Sequence, residues 1–196
     1  MEVKQGLGTL TYLKTLLRDP DVASVTPSSK FAVKRVCSYI DFKNAELIVE
    51  FGPGLGVFTE YLLEHMPENS KLLAIEKNPR FVDKLRRQLN DPRLVVECAS
   101  AEEIANFLPD GSVDYVVSGI PFSMIPPLER SKILANTAKA LKPSGRFLTY
   151  QVFPPPASMD SFLRKPMEEH FELLSKSYEF RNIPPLRIYS ARSRVH

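Results

Sequence analysis

"IVEFGPGLGVF", Ile48 to Phe58, is the stretch on which the fold turns. A short apolar run carries a carboxylate, Glu50, and two positions later three glycines begin, Gly52, Gly54 and Gly56, alternating with proline and leucine. A glycine-rich turn at the end of an apolar strand is where α/β sheets let a ligand approach bare backbone. Outward from it, strand-like and helix-length segments alternate. "ELIVEF" (46–51) precedes a helix at 56–66, "KLLAIE" (71–76) a helix at 79–90, and "RLVVEC" (93–98) a short helix at 101–107. "VDYVVSG" (113–119) precedes a helix at 127–141, and "GRFLTYQV" (145–152) is followed by two strands near 171–180 and 186–194. This alternation predicts βαβ units, and strands as continuously apolar as "LIVEF" predict a sheet covered on both faces. The expected architecture is α/β and Rossmann-like: a mostly parallel seven-stranded sheet with helices on both faces.

Upstream, Leu7, Leu10, Leu13 and Leu17 form one helical stripe over 7–18, with Lys4, Lys14 and Arg18 beside it. Two roles are open to such a helix: lying in a membrane interface or covering the protein's own core. Ser28 or Ser29 can cap a second helix at 30–40, with Phe31, Val33 and Val36 facing inward. The chain therefore divides into N-terminal helices (1–42) and a core (43–196). At 43% hydrophobic and 25% charged, 196 residues suffice for one folded domain, and a net charge of +3 is too small for a protein that wraps nucleic acid. Cys37 and Cys98 lack metal spacing and read as reduced thiols, and His65, His170 and His196 form no ligand set, so no metal is expected. The N-terminal residues lack the pattern of an export signal and no apolar run is long enough to span a bilayer, so a cytoplasmic chain touching membrane only peripherally is predicted. Prolines at 121–127, 154–156 and 184–185 mark rigid loops.

The loop spacing is G-x-G-x-G, with Val57 where a dinucleotide-binding loop would place its third glycine. Glu50 would repel a pyrophosphate and attract an ammonium or sulfonium. Glu76 ends the next strand, where a carboxylate can accept both hydroxyl protons of a ribose. Together these favour a nucleoside bearing an amino acid, S-adenosylmethionine, over a dinucleotide.

At this point the chain resembles the class I S-adenosylmethionine-dependent methyltransferases. "VEFGPGLG" is similar to their first motif and "AIEKN", with Glu76 and Lys77, to their second. "ECASAEEI" is similar to the third-strand motif, whose acidic residue often meets the adenine amine; here Ser100 holds that slot, and either its hydroxyl or the backbone of Ala101 serves. At the fourth strand tip, Ser118-Gly119-Ile120-Pro121-Phe122, adenine and glutamine N-methyltransferases carry Asn or Asp before the proline, and Gly119 or Ser118 stands here instead. A glycine cannot polarise a planar NH2, so the expected acceptor is an aliphatic amine. "VTPSSKFAVKRV", "SGIP" and "RNIPPLRIYSARSR" resemble the bacterial phospholipid N-methyltransferases, from Tyr12 to Arg194.

That resemblance implies a Rossmann-like methyltransferase fold and a phospholipid substrate at a membrane surface, methylated from phosphatidylethanolamine toward phosphatidylcholine, or a related amine-bearing lipid. It implies cofactor contacts from Glu50, Gly52, Gly54, Gly56, Glu76, Lys77, Ser100, Ala101 and Ser118, and catalytic positions at Ser118, Gly119 and Tyr150. Tyr12, Tyr39 and Tyr150 are candidates to contact the departing proton, and Phe122 and Phe153 to face a methylated cation. Arg181, Arg187, Arg192 and Arg194 are candidates for the lipid phosphate. The alternative is RNA adenine methylation by a family sharing this core. The missing Asn, the modest charge and the lack of a C-terminal helical RNA-binding extension weigh against it, and no stable nucleic-acid partner is expected. The oligomeric state stays open.

Overall fold

The computed structural model describes residues 28–152 and 159–195; the helix expected at 7–18, Tyr12 and Phe153 lie outside them. Seven strands form one sheet: β1 (Leu47–Phe51), β2 (Lys71–Glu76), β3 (Leu94–Cys98), β4 (Val113–Ser118), β5 (Leu141–Val152), β6 (Phe171–Glu179) and β7 (Leu186–Ser193). Their order is β3-β2-β1-β4-β5-β7-β6. Neighbours among β1 to β5 are parallel, and β7 runs antiparallel between β5 and β6. This is the expected mostly parallel, Rossmann-like sheet, and its order reverses between β1 and β4, where open α/β sheets leave a crevice.

Among the described residues five helices flank the sheet: α1 (Lys30–Cys37), α2 (Val57–His65), α3 (Pro79–Gln88), α4 (Pro127–Ala140) and α5 (Met159–His170). Successive strand residues point to opposite faces. Phe51, Val116 and Phe147 meet Ile133 of α4, Met167 of α5 and Ile104 of a 3-10 turn (Ala101–Asn106) on one face. Ile48, Val117 and Leu148 meet Val36 of α1 and Phe58 and Leu62 of α2 on the other. The helix starts follow local chemistry: Ser29 Oγ accepts from Ala32 N (3.2 Å), and Asn78 caps α3 with Pro79 at its first position.

Several expectations change. Phe31 does not face inward; it is exposed, and Ala32, Val33, Val36 and Cys37 are buried instead. Phe31 lies two residues, about 200°, from Val33, so a helical stripe through Val33 and Val36 leaves it on the far side. α5 occupies a stretch to which the sequence pattern assigns no element, and His170 ends it. Prolines at 154–156 and 166 hid the helix, whereas Leu163 and Met167, one turn apart, bury it against Phe171.

Candidate functional site

The glycine turn closes β1 against β2 and β4. Gly52 N donates to Ile75 O (3.0 Å), Gly119 N donates to Phe51 O (3.1 Å), and Gly56 N to Pro53 O (2.9 Å). Gly52, Gly54 and Gly56 all take positive φ, +67°, +54° and +84°. At Gly52 a Cβ would also stand 2.8 Å from Ile120 Cγ2, so conformation and space both demand glycine. The carboxylate at the end of β2 fastens the turn: Glu76 Oε2 accepts from Gly54 N (3.1 Å) and Oε1 from Asn78 N (2.9 Å). A carboxylate at this strand end is the group type that accepts ribose hydroxyl protons.

Between these tips opens a cleft of about 470 Å3, within the range of small-molecule and cofactor sites. Gly52, Glu76, Lys77, Ser100, Ala101 and Gly119 line it, all named from sequence. Sequence reading missed Asn78, Ile120, Ile125 and Ile133, which also line it. Asn78 had a signal, since Asn before Pro opens a helix; the isoleucines had none, because core and pocket residues share one composition. Lys77 is largely exposed at the mouth, 3.5 Å from Glu129.

Glu50 is not in the cleft. It is buried behind the turn, where Oε2 accepts from Thr59 Oγ1 (2.7 Å). Burial pushes its pKa up to about 8; the Thr59 hydrogen bond opposes that rise and the charge of Glu76 adds to it. Its influence on a ligand is therefore electrostatic, through the turn. Gly54 and Gly56 shape the turn without lining the cleft, and at Gly56 a Cβ would lie 2.7 Å from Leu85 Cδ2 of α3. Ser118 lies on the opposite sheet face from Gly119, fully buried, and neither its Oγ nor that of its strand neighbour Thr149 has a hydrogen-bond partner.

At the tip of β4, Tyr150 explains Gly119. A Cβ at 119 would fall 3.0 Å from Tyr150 Cζ and closer still to its hydroxyl. The Tyr150 ring stacks on Phe58 (4.8 Å between centroids), and the Ser28 side chain is a polar neighbour of its hydroxyl. Burial, then the charge of Glu50, raises the phenol's pKa, so Tyr150 stays protonated and acts as a hydrogen-bonding group, not a base. Ser28 is held in turn: Ser29 N donates to Asn182 Oδ1 (2.7 Å), and Asn182 Nδ2 donates to Pro184 O (2.7 Å). The "PSS" and "NIPP" segments are thus one staple, with Asn182 buried at its centre.

Other candidates fall elsewhere. Tyr39 donates to Ser177 Oγ (2.8 Å) on the edge strand β6, two strands from Tyr150. Phe122 is fully buried, edge-on to Phe147, and cannot face a substrate cation. Arg192 pairs with Glu172, and Arg194 binds Phe171 O, at the end of β7 remote from the cleft. Arg181 grips Glu179 through two contacts of 2.8 Å, and Arg187 is buried against Tyr189.

The methyltransferase domain family matches residues 48–145, half of the chain. The chain belongs to that family. An ornithine lipid N-methyltransferase from Singulisphaera acidiphila is similar, 26% identical over 175 residues, 87% of this chain and 88% of that one. A probable ribosomal RNA small subunit methyltransferase A from Thermococcus sibiricus is 32% identical over 96 residues, 49% of this chain but 33% of its own length. The structure of a SAM-dependent methyltransferase from Aquifex aeolicus has the same fold, with a TM-score of 0.64 at 17% identity over 93% of this chain and 97% of that one. This methyltransferase depends on S-adenosylmethionine, and the cleft suits it: a bare turn at Gly52, the strand-end carboxylate of Glu76, and an apolar wall at Ile125 and Ile133. When bound, S-adenosylmethionine supplies an electrophilic methyl on a positive sulfur.

Proposed function

We propose that the chain methylates the aliphatic amine of a lipid headgroup, phosphatidylethanolamine toward phosphatidylcholine or a related amine-bearing lipid. The observation that carries this reading is the exchange at the tip of β4: position 119 has no side chain, and the Tyr150 hydroxyl fills its space. A neutral phenol offers one hydrogen-bond acceptor beside the cleft. It lacks the carbonyl that would draw density into a planar aromatic amine. An aliphatic amine needs no such help, because its lone pair is localised once its proton has left.

The amine arrives as an ammonium with a pKa of about 10.4. Burial beside a positive cofactor lowers that value and favours the neutral nucleophile. The Tyr150 hydroxyl, with Ser28 as its polar neighbour, orients the amine N–H and hands the proton toward solvent. Ile120, Pro121 and the Gly52 turn, which line the cleft, would position the amine nitrogen beside the bound cofactor. The ornithine lipid relative supports a lipid over RNA: its similarity spans 87% of this chain, whereas the RNA relative covers 49%. The test supplies labelled methyl donor with vesicles of defined headgroup and, in parallel, unmethylated small-subunit RNA. Label in an N-methylated lipid is the expected result. Label in RNA adenine alone refutes the proposal.

A further inference from the structure

Three large apolar side chains gather on the rim beside the acceptor side: Phe31 at the start of α1, and Phe180 and Ile183 on the turn between β6 and β7. They are 48%, 66% and 74% exposed. The turn is rigid, because Asn182 bonds both Ser29 N and Pro184 O and the Arg181 guanidinium lies 4.4 Å from the centre of the Phe31 ring. It sits at the cleft edge of the sheet, since Leu186 just beyond it pairs with Val152, and Ser28 reaches Tyr150. Exposed Lys30, Lys34, Arg35 and Lys176 surround it. Across residues 28–40 and 173–187 the single acidic residue is Glu179, which is buried and held by Arg181.

We propose that this turn, with the start of α1, docks the protein on an anionic lipid bilayer, Phe180 and Ile183 entering the headgroup boundary and the cations resting on the phosphates. The chemistry favours a bilayer over a folded partner. The apolar groups project from a turn instead of forming a flat or concave face. Long cationic side chains surround them, as suits a fluid negative surface. The inference rests on the lipid reading above and deepens it: docking there turns Gly119 and Tyr150 toward the headgroups.

The chain contains no tryptophan, so Ile183→Trp provides a single emission probe. Its emission is expected to shift to the blue with phosphatidylcholine–phosphatidylglycerol vesicles, less with phosphatidylcholine alone, and to return with added salt. In flotation, Phe180→Ser with Ile183→Ser lowers partitioning about tenfold or more, and Lys30→Gln or Lys34→Gln about fivefold each. The double serine variant keeps cofactor affinity and methyl transfer to phosphatidylethanolamine dispersed in detergent. Unshifted emission overturns the proposal, including emission already blue without vesicles because the chain's own segment covers the turn. Native flotation of the double variant overturns it too. Should that variant lose cofactor affinity through misfolding, the emission result decides. Methylation of dispersed lipid without docking refutes the docking surface alone, and docking without methylation of any lipid amine refutes the substrate reading alone.

Discussion

On the cofactor side of the cleft, the bond that fastens the glycine turn joins Gly54 to Glu76, 22 residues apart. On the acceptor side, the bond that fixes the serines beside Tyr150 joins Ser29 to Asn182, 153 residues apart. The first is made within one βαβ unit, by strands adjacent in sequence and in space. The second exists only when α1, β5 and the β6–β7 turn have all assembled. On the proposed function, cofactor binding and methyl acceptance are separable in this fold: damage to the turn is expected to reach affinity for the donor, and damage to the staple to reach turnover.

The sharpest attack on that separation is Gly119→Asn. The new side chain must displace Tyr150, so kcat for a lipid amine is expected to fall about a hundredfold, while the cofactor Kd by calorimetry moves less than about threefold, within ~0.6 kcal/mol. An equal loss in both would merge the two sides. Gly52→Val probes the other side: a β-branched residue at φ +67° facing Ile120 should weaken cofactor binding by about thirtyfold. Native affinity in this variant would remove the turn from the site. Asn182→Ala leaves Ser29 N unpaired and costs about 1–3 kcal/mol of stability. It should lower kcat/KM for the lipid about tenfold with cofactor Kd unchanged, and Asn182→Asp, which keeps the acceptor for Ser29 N, should restore part of the loss. Proportional losses in both variants would mean that Asn182 only supports the fold.

The smallest expected effect is a slope. Free Glu50 is protonated below about pH 8. A bound cation favours its ionised form, so binding releases a proton there, and cofactor affinity rises with pH toward about 8 and then levels. The groups around Glu50 that share its field are Glu76, Tyr150 and Cys37, each electrostatically coupled to it. Glu50→Gln should flatten the slope, which is less than tenfold per pH unit. A slope retained in Glu50→Gln would assign it to another group.

How much was legible follows the same division. "IVEFGPGLG" and "AIEKN" disclosed the turn, Glu76 and Lys77, because strand, turn and helix are local and carry their own chemistry. The strand order could be expected in outline from alternating segments. α5 could not, since its helix depends on burying Leu163 and Met167 in a core other elements supply. Phe122 looked like a cation-facing aromatic at a strand tip, yet it turned into the core. Four arginines looked like one basic tail, but β7 runs back across the sheet and carries Arg192 and Arg194 to the opposite end from Arg181. Glu50 was recognisable as important, though its position behind the turn, bonded to Thr59, was not.

By itself the sequence determined the fold class and the donor, because hydrophobic period, glycine placement and strand-end carboxylates act over one turn or one βαβ unit. Only the tertiary structure decided the surroundings of Gly119. There a tyrosine hydroxyl takes the place of an absent side chain, and an asparagine from the far end of the chain holds the serines. Such contacts leave no local pattern, since each residue is ordinary in its own segment and acquires a role only from what packing brings against it.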